Sequence, residues 1–282
     1  MSHCPRAPAS ILPLMPELPE VETVRRQLAP RLVGRRVIEA GSHSSQKFTP
    51  ARETTGATFT GASRRGKYLL LPLDDGRELV VHLGMTGKLG FRRGGPDESN
   101  PYLRAWWFLD EDETLEFADV RRFGRLRVVP AGNYESIPTL SAAGPEPWDP
   151  ELTDAVFWGR LRASKRAIKT QLLSQRPIAG VGNIYADEAL WLAEINPKVS
   201  RIGLERAGRL LEALREVLAT GVDNGGTTLR DYRNAEGGKG SNQHQLKAYG
   251  RGGLPCERCE TEMRSEQVDA RTTTWCPSCQ SR

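Results

Sequence analysis

The sequence predicts an α+β protein in three parts: an N-terminal antiparallel β-sandwich with a flanking helix, a helical domain, and a small C-terminal element built on cysteines. Three observations carry this. Short runs rich in β-branched and aromatic residues, separated by turn signals, fill the first half. Helical periodicity replaces them beyond the Pro-containing stretch Leu140–Pro150. Four of the five cysteines close the chain as two CxxC pairs.

Taken in order, residues 1–14 are Pro- and Ala-rich without periodicity, and are expected to be disordered or to lie upstream of the true start at Met15. From Leu18, the apolar positions Val21, Val24, Leu28 and Leu32 recur at helical spacing, with Arg25, Arg26 and Gln27 opposite. Strands are expected at Arg36–Ala40, Ala57–Ser63, Lys67–Leu73, Glu78–Leu83, Arg104–Leu109, Thr114–Phe117 and Arg125–Val129. Asp74-Asp75-Gly76 and Gly94-Gly95-Pro96 are turns between them. The sandwich is assigned to 15–139 and the linker to 140–150. Helices follow at Glu151–Arg162, Ala167–Gln175, Asn183–Ile195 and Leu204–Asp223, with a short one near Thr228–Tyr232; these fill a second domain, 151–245. Asn196-Pro197 breaks the third from the fourth. Asn234–His244 is Gly-rich and polar and reads as a mobile loop, and 246–282 is the cysteine element.

With 282 residues the chain can bury a substantial core. Net charge +5 and a pI near 9.0 lean toward a polyanionic partner without requiring one. No apolar run reaches membrane-spanning length, residues 1–14 make a poor signal peptide, and the cysteine distribution suits a reducing cell. The expected setting is the cytoplasm.

Several groups can carry chemistry. Cys256 and Cys259, then sixteen residues, then Cys276 and Cys279, have the spacing of a closed four-thiolate structural zinc site, with the intervening residues free to form a hairpin. At the other end, Met15-Pro16-Glu17 places a carboxylate directly after a proline. Were Pro16 the amino terminus, its secondary amine, with a pKa of roughly 8, would be a nucleophile at neutral pH with Glu17 beside it. The same residues also suit an ordinary helix start. Gly180-Val-Gly182-Asn183 opens a helix whose N–H groups could hold a phosphate. Arg251, on a glycine-flanked turn before the cysteines, and the basic residues Lys67 and Lys169 are further phosphate candidates or solvated cations. Met85, in Gly84-Met85-Thr86-Gly87, and Phe123, in Arg121-Arg122-Phe123-Gly124, are apolar tips suited to insertion into a base stack.

The strings PELPEVET from Pro16, RRGKYL around Lys67, HLGMTG around Met85, RRFG from Arg121, GPEP at Gly144, GVGNIYADE from Gly180, GGTTL from Gly225 and YGR ending at Arg251, with the four cysteines, occur in the order of one family. From Met15 onward the chain resembles the formamidopyrimidine-DNA glycosylases. The resemblance implies a helix-two-turn-helix in the second domain, a zinc finger, a monomer, and damaged double-stranded DNA in the cleft. It also implies excision of oxidised purines and cleavage of the resulting abasic site. In it, Pro16 attacks C1′ of the damaged nucleotide, Glu17 is the acid/base partner, Lys67 assists proton transfer, and Arg251 grips phosphates and supports elimination. Met85, Arg121 and Phe123 fill the gap left by the flipped nucleotide, and Lys169 and Asn183 contact phosphates. The chain departs from the pattern at Val120 (usually proline), Tyr102 (usually a histidine) and Ser164 (usually a lysine), where Lys165 and Arg166 stand as substitutes. Its lesion-reading loop has Ser241-Asn242-Gln243 where an aromatic-Gln pair is usual. Two alternatives remain at this level. One is the oxidised-pyrimidine glycosylases of the endonuclease VIII type, which begin Pro-Glu-Gly where this chain has Pro16-Glu17-Leu18. The other is a non-catalytic damaged-DNA binder, should residues 1–14 be retained.

Overall fold

A computed structural model describes residues 15–281; the N-terminal extension lies outside them. Helix α1 (Leu18–Leu32) leads into eight strands: β1 (Val37–Ser42), β2 (Ser63–Arg65), β3 (Tyr68–Pro72), β4 (Arg77–His82), β5 (Gly87–Arg93), β6 (Leu103–Leu109), β7 (Glu113–Asp119) and β8 (Arg125–Pro130). They form two antiparallel four-stranded sheets, in the orders β1-β6-β7-β5 and β2-β3-β4-β8. Inward residues of both sheets, among them Leu69, Leu71, Val81, Trp107 and Phe117, share one core with Val21, Val24, Leu28 and Leu32 of α1. Each such side chain, fully removed from water, contributes about 1.5–3 kcal/mol. The outer face of β3, β4 and β8 is covered too. Leu70, Val80 and Val129 pack against Ile137 and Leu140 at the short helix α2 (Pro138–Ser141), which explains why these strands read as unbroken apolar runs.

Two expectations are corrected in this half. Of the run Ala57–Ser63, Thr58 and Phe59 make isolated bridges, and only Ser63 enters a strand. Strand β5 was not anticipated, because its Gly87 and Gly90 mimic turn signals. Both are glycines for want of space: a Cβ on Gly87 would lie 2.2 Å from the Leu83 carbonyl, and one on Gly90 would lie 3.2 Å from that of Ala235.

The second half holds α3 (Asp154–Arg162, capped by the Thr153 hydroxyl), α4 (Ile168–Leu173), α5 (Asn183–Leu192) and α6 (Leu204–Asp223) around a separate core. Between α4 and α5 the chain makes two tight turns, with Gln175 at φ 64° and Gly180 at φ 86°. The Gln175 side chain closes them, accepting the Gly180 N–H at 2.8 Å and donating to the Val181 carbonyl. Residues 228–232 are not helical, because their backbone is used elsewhere (below). Strands β9 (Arg264–Val268) and β10 (Arg271–Trp275) form the expected hairpin between the cysteine pairs. Among the described residues no helix is long and apolar enough to cross a membrane.

Helix α1 joins the two halves. Its first residue, Leu18, belongs to the helical core, while the rest of its buried face belongs to the sandwich.

Candidate active site

At that junction the N-termini of α1 and α5 meet. The Leu18 N–H donates to the Gly180 carbonyl at 3.0 Å. Glu17, 1% exposed, turns its carboxylate onto the first turn of α5 and accepts the N–H groups of Gly182 at 2.6 Å, Ile184 at 2.9 Å and Tyr185 at 3.4 Å. The glycines are required by contact: a Cβ on Gly182 would lie 2.3 Å from the Glu17 carboxyl carbon, and one on Gly180 would overlap Leu18. Burial pushes the Glu17 carboxyl up to about 7, against the opposing pull of Lys67 and of the Ile184 and Gly182 N–H groups, with Glu20 adding to the rise. A carboxyl poised near neutrality can exchange a proton in either direction.

Glu20 continues the network. It accepts the Glu17 N–H at 2.8 Å, the Tyr185 hydroxyl at 2.9 Å and the Thr227 N–H at 2.7 Å. Thr228 donates its N–H to the Gln243 side chain at 3.0 Å, and the Thr228 hydroxyl accepts the Gly240 N–H at 3.0 Å. Gly-Gly-Thr-Thr and the 240–243 loop are thereby braced against the carboxylate pair, which is why residues 228–232 are not helical.

Lys67 follows a glycine turn that packs on the same junction. A Cβ on Gly66 would stand 3.4 Å from Ala179 and from the Gly180 nitrogen, and the Gly66 N–H donates to Glu146 at 2.6 Å. Arg64 ties this turn down, 2.8 Å from Glu146 and 3.3 Å from Glu22. Burial pulls the Lys67 ammonium below its usual range, while Glu17 and Glu20 oppose that shift. Pro16 is buried one residue before Glu17.

Met85, Arg121 and Phe123 come together although 36 positions separate Met85 from Arg121 in sequence. Gly84 (φ 67°) packs directly on the Phe123–Gly124 backbone. Phe123 is 47% exposed, with the Arg121 guanidinium 5.0 Å from its ring centre. Tyr102 is exposed at the base of the same turn, its carbonyl accepting the Asp119 N–H. Lys165 is exposed between α3 and α4.

The four cysteine sulfurs lie within 4.8 Å of one another, with separations of 4.0 Å for Cys256–Cys279, 3.5 Å for Cys259–Cys276 and 3.3 Å for Cys259–Cys279. Four thiolates at zinc–sulfur distances of about 2.3 Å stand roughly 3.8 Å apart, so the set fits one structural zinc ion. The Trp191 indole N–H donates to Cys256 at 3.5 Å, orienting a ligand from α5.

Two basic residues sit differently from expectation. Lys169 is fully buried. Its ammonium lies 2.6 Å from Asp187 and donates to the Thr273 hydroxyl at 2.8 Å and the Thr272 carbonyl at 3.1 Å. It is a brace between α4, α5 and β10, out of reach of a phosphate in this conformation. Asn183 adds to the brace through Thr272 at 3.1 Å, while its buried Oδ1 has no partner. Arg251 is engaged within its own loop, with the Pro255 carbonyl at 3.2 Å and Glu257 at 3.2 Å. The Arg271 guanidinium, exposed at the start of β10, adds to the lowering of the Lys67 and Lys169 ammonium groups and opposes the rise of the Tyr249 hydroxyl. Sequence reading missed Arg271.

Comparison with known proteins agrees with this geometry. Residues 15–126 match the formamidopyrimidine-DNA glycosylase N-terminal domain, 143–233 the H2TH domain of the same enzymes, and 253–282 the zinc finger found in FPG and IleRS. The formamidopyrimidine-DNA glycosylase of Deinococcus radiodurans is 44% identical over 279 residues, covering 94% of this chain and 97% of its own. That of Thermus thermophilus is 45% identical over 270 residues, covering 94% and 98%. The crystal structure of the MutM (Fpg) protein from Thermus thermophilus superposes with a TM-score of 0.86, covering 95% of this chain and 99% of that one at 44% identity. The Lactococcus lactis Fpg complexed with DNA containing an abasic site superposes at 0.84, covering 94% and 100% at 35% identity. Sandwich, helix-two-turn-helix and zinc hairpin meeting at a buried acid define a DNA-repair glycosylase. The chain belongs to the formamidopyrimidine-DNA glycosylase family.

Proposed function

We propose that the protein excises oxidised purines, 8-oxoguanine and formamidopyrimidines, from duplex DNA and then cleaves the strand by β,δ-elimination. The observation that carries this reading is Glu17: a buried carboxyl poised near pH 7, seated on α5, next to Pro16 and in the field of Lys67. A Lactococcus lactis Fpg variant is described in complex with Fapy-dG containing DNA, which favours ring-opened and oxidised purines here. Work of this kind takes place on the chromosome, in the cytoplasm.

The target nucleotide is first flipped, because its C1′ is unreachable in a stacked duplex. The Pro16 nitrogen attacks C1′ and the glycosidic pair leaves with the base, which takes up the proton that the Pro16 nitrogen gives up. Opening of the sugar places its ring oxygen, protonated by Glu17, on C4′ as a hydroxyl and leaves an iminium between Pro16 and C1′. The iminium acidifies C2′–H, and loss of that proton expels the 3′ phosphate. A second elimination expels the 5′ phosphate, and water frees Pro16. Lys67 and Glu17 move the protons, and we assign the hold on the departing phosphate to Arg271, whose charge acts on Lys67. The chemistry needs Pro16 as a free amine, because within the Met15–Pro16 peptide bond its nitrogen has no nucleophilic pair. The proposed reaction therefore requires Pro16 to be exposed as the amino terminus.

Borohydride trapping on a duplex with 8-oxoguanine opposite cytosine, followed by peptide mapping, tests this. A cross-linked peptide beginning at Pro16 is the expected result. Trapping elsewhere, or none from a chain beginning at Pro16, overturns the assignment, and success with an oxidised pyrimidine alone overturns the substrate.

A further inference from the structure

The turns carrying Met85 and Arg121–Phe123 are joined through one buried hydroxyl. Thr86 is 6% exposed; its Oγ1 donates to Asp119 Oδ1 and accepts the Arg121 N–H at 3.0 Å. Asp119 is fully buried, and its Oδ2 accepts the Gly124 N–H at 2.7 Å. The segment Arg121–Gly124 is thus held at both ends. Its backbone also has no slack toward Gly84: a Cβ there would lie 2.4 Å from the Gly124 nitrogen. Only a side chain that donates and accepts at once can fill the place of Thr86, and a hydroxyl is the smallest group that does. Val120 supplies none of the φ restraint a proline would, so these hydrogen bonds are what stiffen the turn.

We propose that Thr86 and Asp119 are positioning residues that make the two tips one wedge, so that Met85, Arg121 and Phe123 enter the duplex together as the nucleotide leaves. The inference rests on the base-excision reading above. A wedge whose parts are already ordered loses little further conformational freedom on insertion, whereas two independent turns must each be ordered while a base pair is being broken. Neither residue touches the reacting atoms, so their effect is confined to extrusion.

Single-turnover rates on two duplexes test it: 8-oxoguanine paired with cytosine, and a preformed abasic site opposite cytosine, where no base remains to be unstacked. Thr86→Val keeps the shape, removes both hydrogen bonds and orphans a buried carboxylate oxygen. It should slow excision from the paired duplex by roughly 10–100-fold. Cleavage at the abasic site should stay close to wild type, and Thr86→Ser should restore excision. Asp119→Asn should show the same pattern. Unchanged excision by Thr86→Val, or equal losses on both duplexes, overturns the proposal. If the unsubstituted enzyme acts on neither duplex, the base-excision reading itself fails, a result distinct from either.

Discussion

The carboxylate of Glu17 and the backbone N–H of Gly182 meet at 2.6 Å across 165 positions of sequence. One half of the protein thus supplies the acid and the other supplies the donors that hold it. Burial alone raises a carboxyl, and N–H groups at a helix start lower it; the value near 7 is the balance of the two, with Lys67 on the lowering side.

Glu17→Gln keeps the size of the side chain but cannot exchange protons. Excision should fall by about 10²–10⁴-fold, while affinity for lesion-containing DNA in a gel-shift titration stays within a few-fold of wild type.

The raised Glu17 value also fixes a sign for stability. The folded state holds its proton up to about pH 7, whereas the unfolded chain releases it near the ordinary value of 4.5. The contribution is fully present below about pH 4.5 and is lost as pH rises through 7. Urea titrations between these limits should show wild type losing up to about 3 kcal/mol more than Glu17→Gln, taking 1.36 kcal/mol per pKa unit.

Gly182→Ala places a methyl group where the Glu17 carboxyl lies. The carboxylate must leave α5, and excision should drop by about 10²-fold or more, as misplacement by an ångström does elsewhere. Circular dichroism should be unchanged, since alanine suits the backbone at this position.

Lys169→Met leaves Asp187 buried without its cation, a loss of roughly 3–5 kcal/mol. Thermal melts should show it, and the added change Asp187→Asn should recover part. Because Lys169 is a brace and not a phosphate ligand, the salt dependence of DNA binding should keep its slope; a slope reduced by about one would place Lys169 on a phosphate after all.

Metal analysis should give one zinc per chain. Chelation or Cys279→Ser should release the β9–β10 hairpin, and with it Arg271, weakening DNA binding while the sandwich core stays folded.

Much of this was legible in sequence because it rests on short-range pattern. The spacing of Val21, Val24, Leu28 and Leu32 gives α1, and the spacing of the cysteines gives the metal site. What escaped depends on distant neighbours. Strand β5 hides behind glycines whose reason lies in Leu83 and Ala235. Lys169 reads as a surface cation until Asp187 is placed against it. Arg251 reads as available because Glu257 and the Pro255 carbonyl are only brought to it by the zinc loop. Glu20 was visible as a carboxylate, but its partner Thr227 lies 207 positions away.

Helix α1 places Leu18 in one core and the remainder of its apolar face in the other. During synthesis, the amino end of the enzyme therefore emerges early but stays chemically unfinished until Gly182, Tyr185 and Thr227 have been made. A chain interrupted between the halves would keep Glu17 but lose the N–H donors that seat its carboxylate and the burial that raises it.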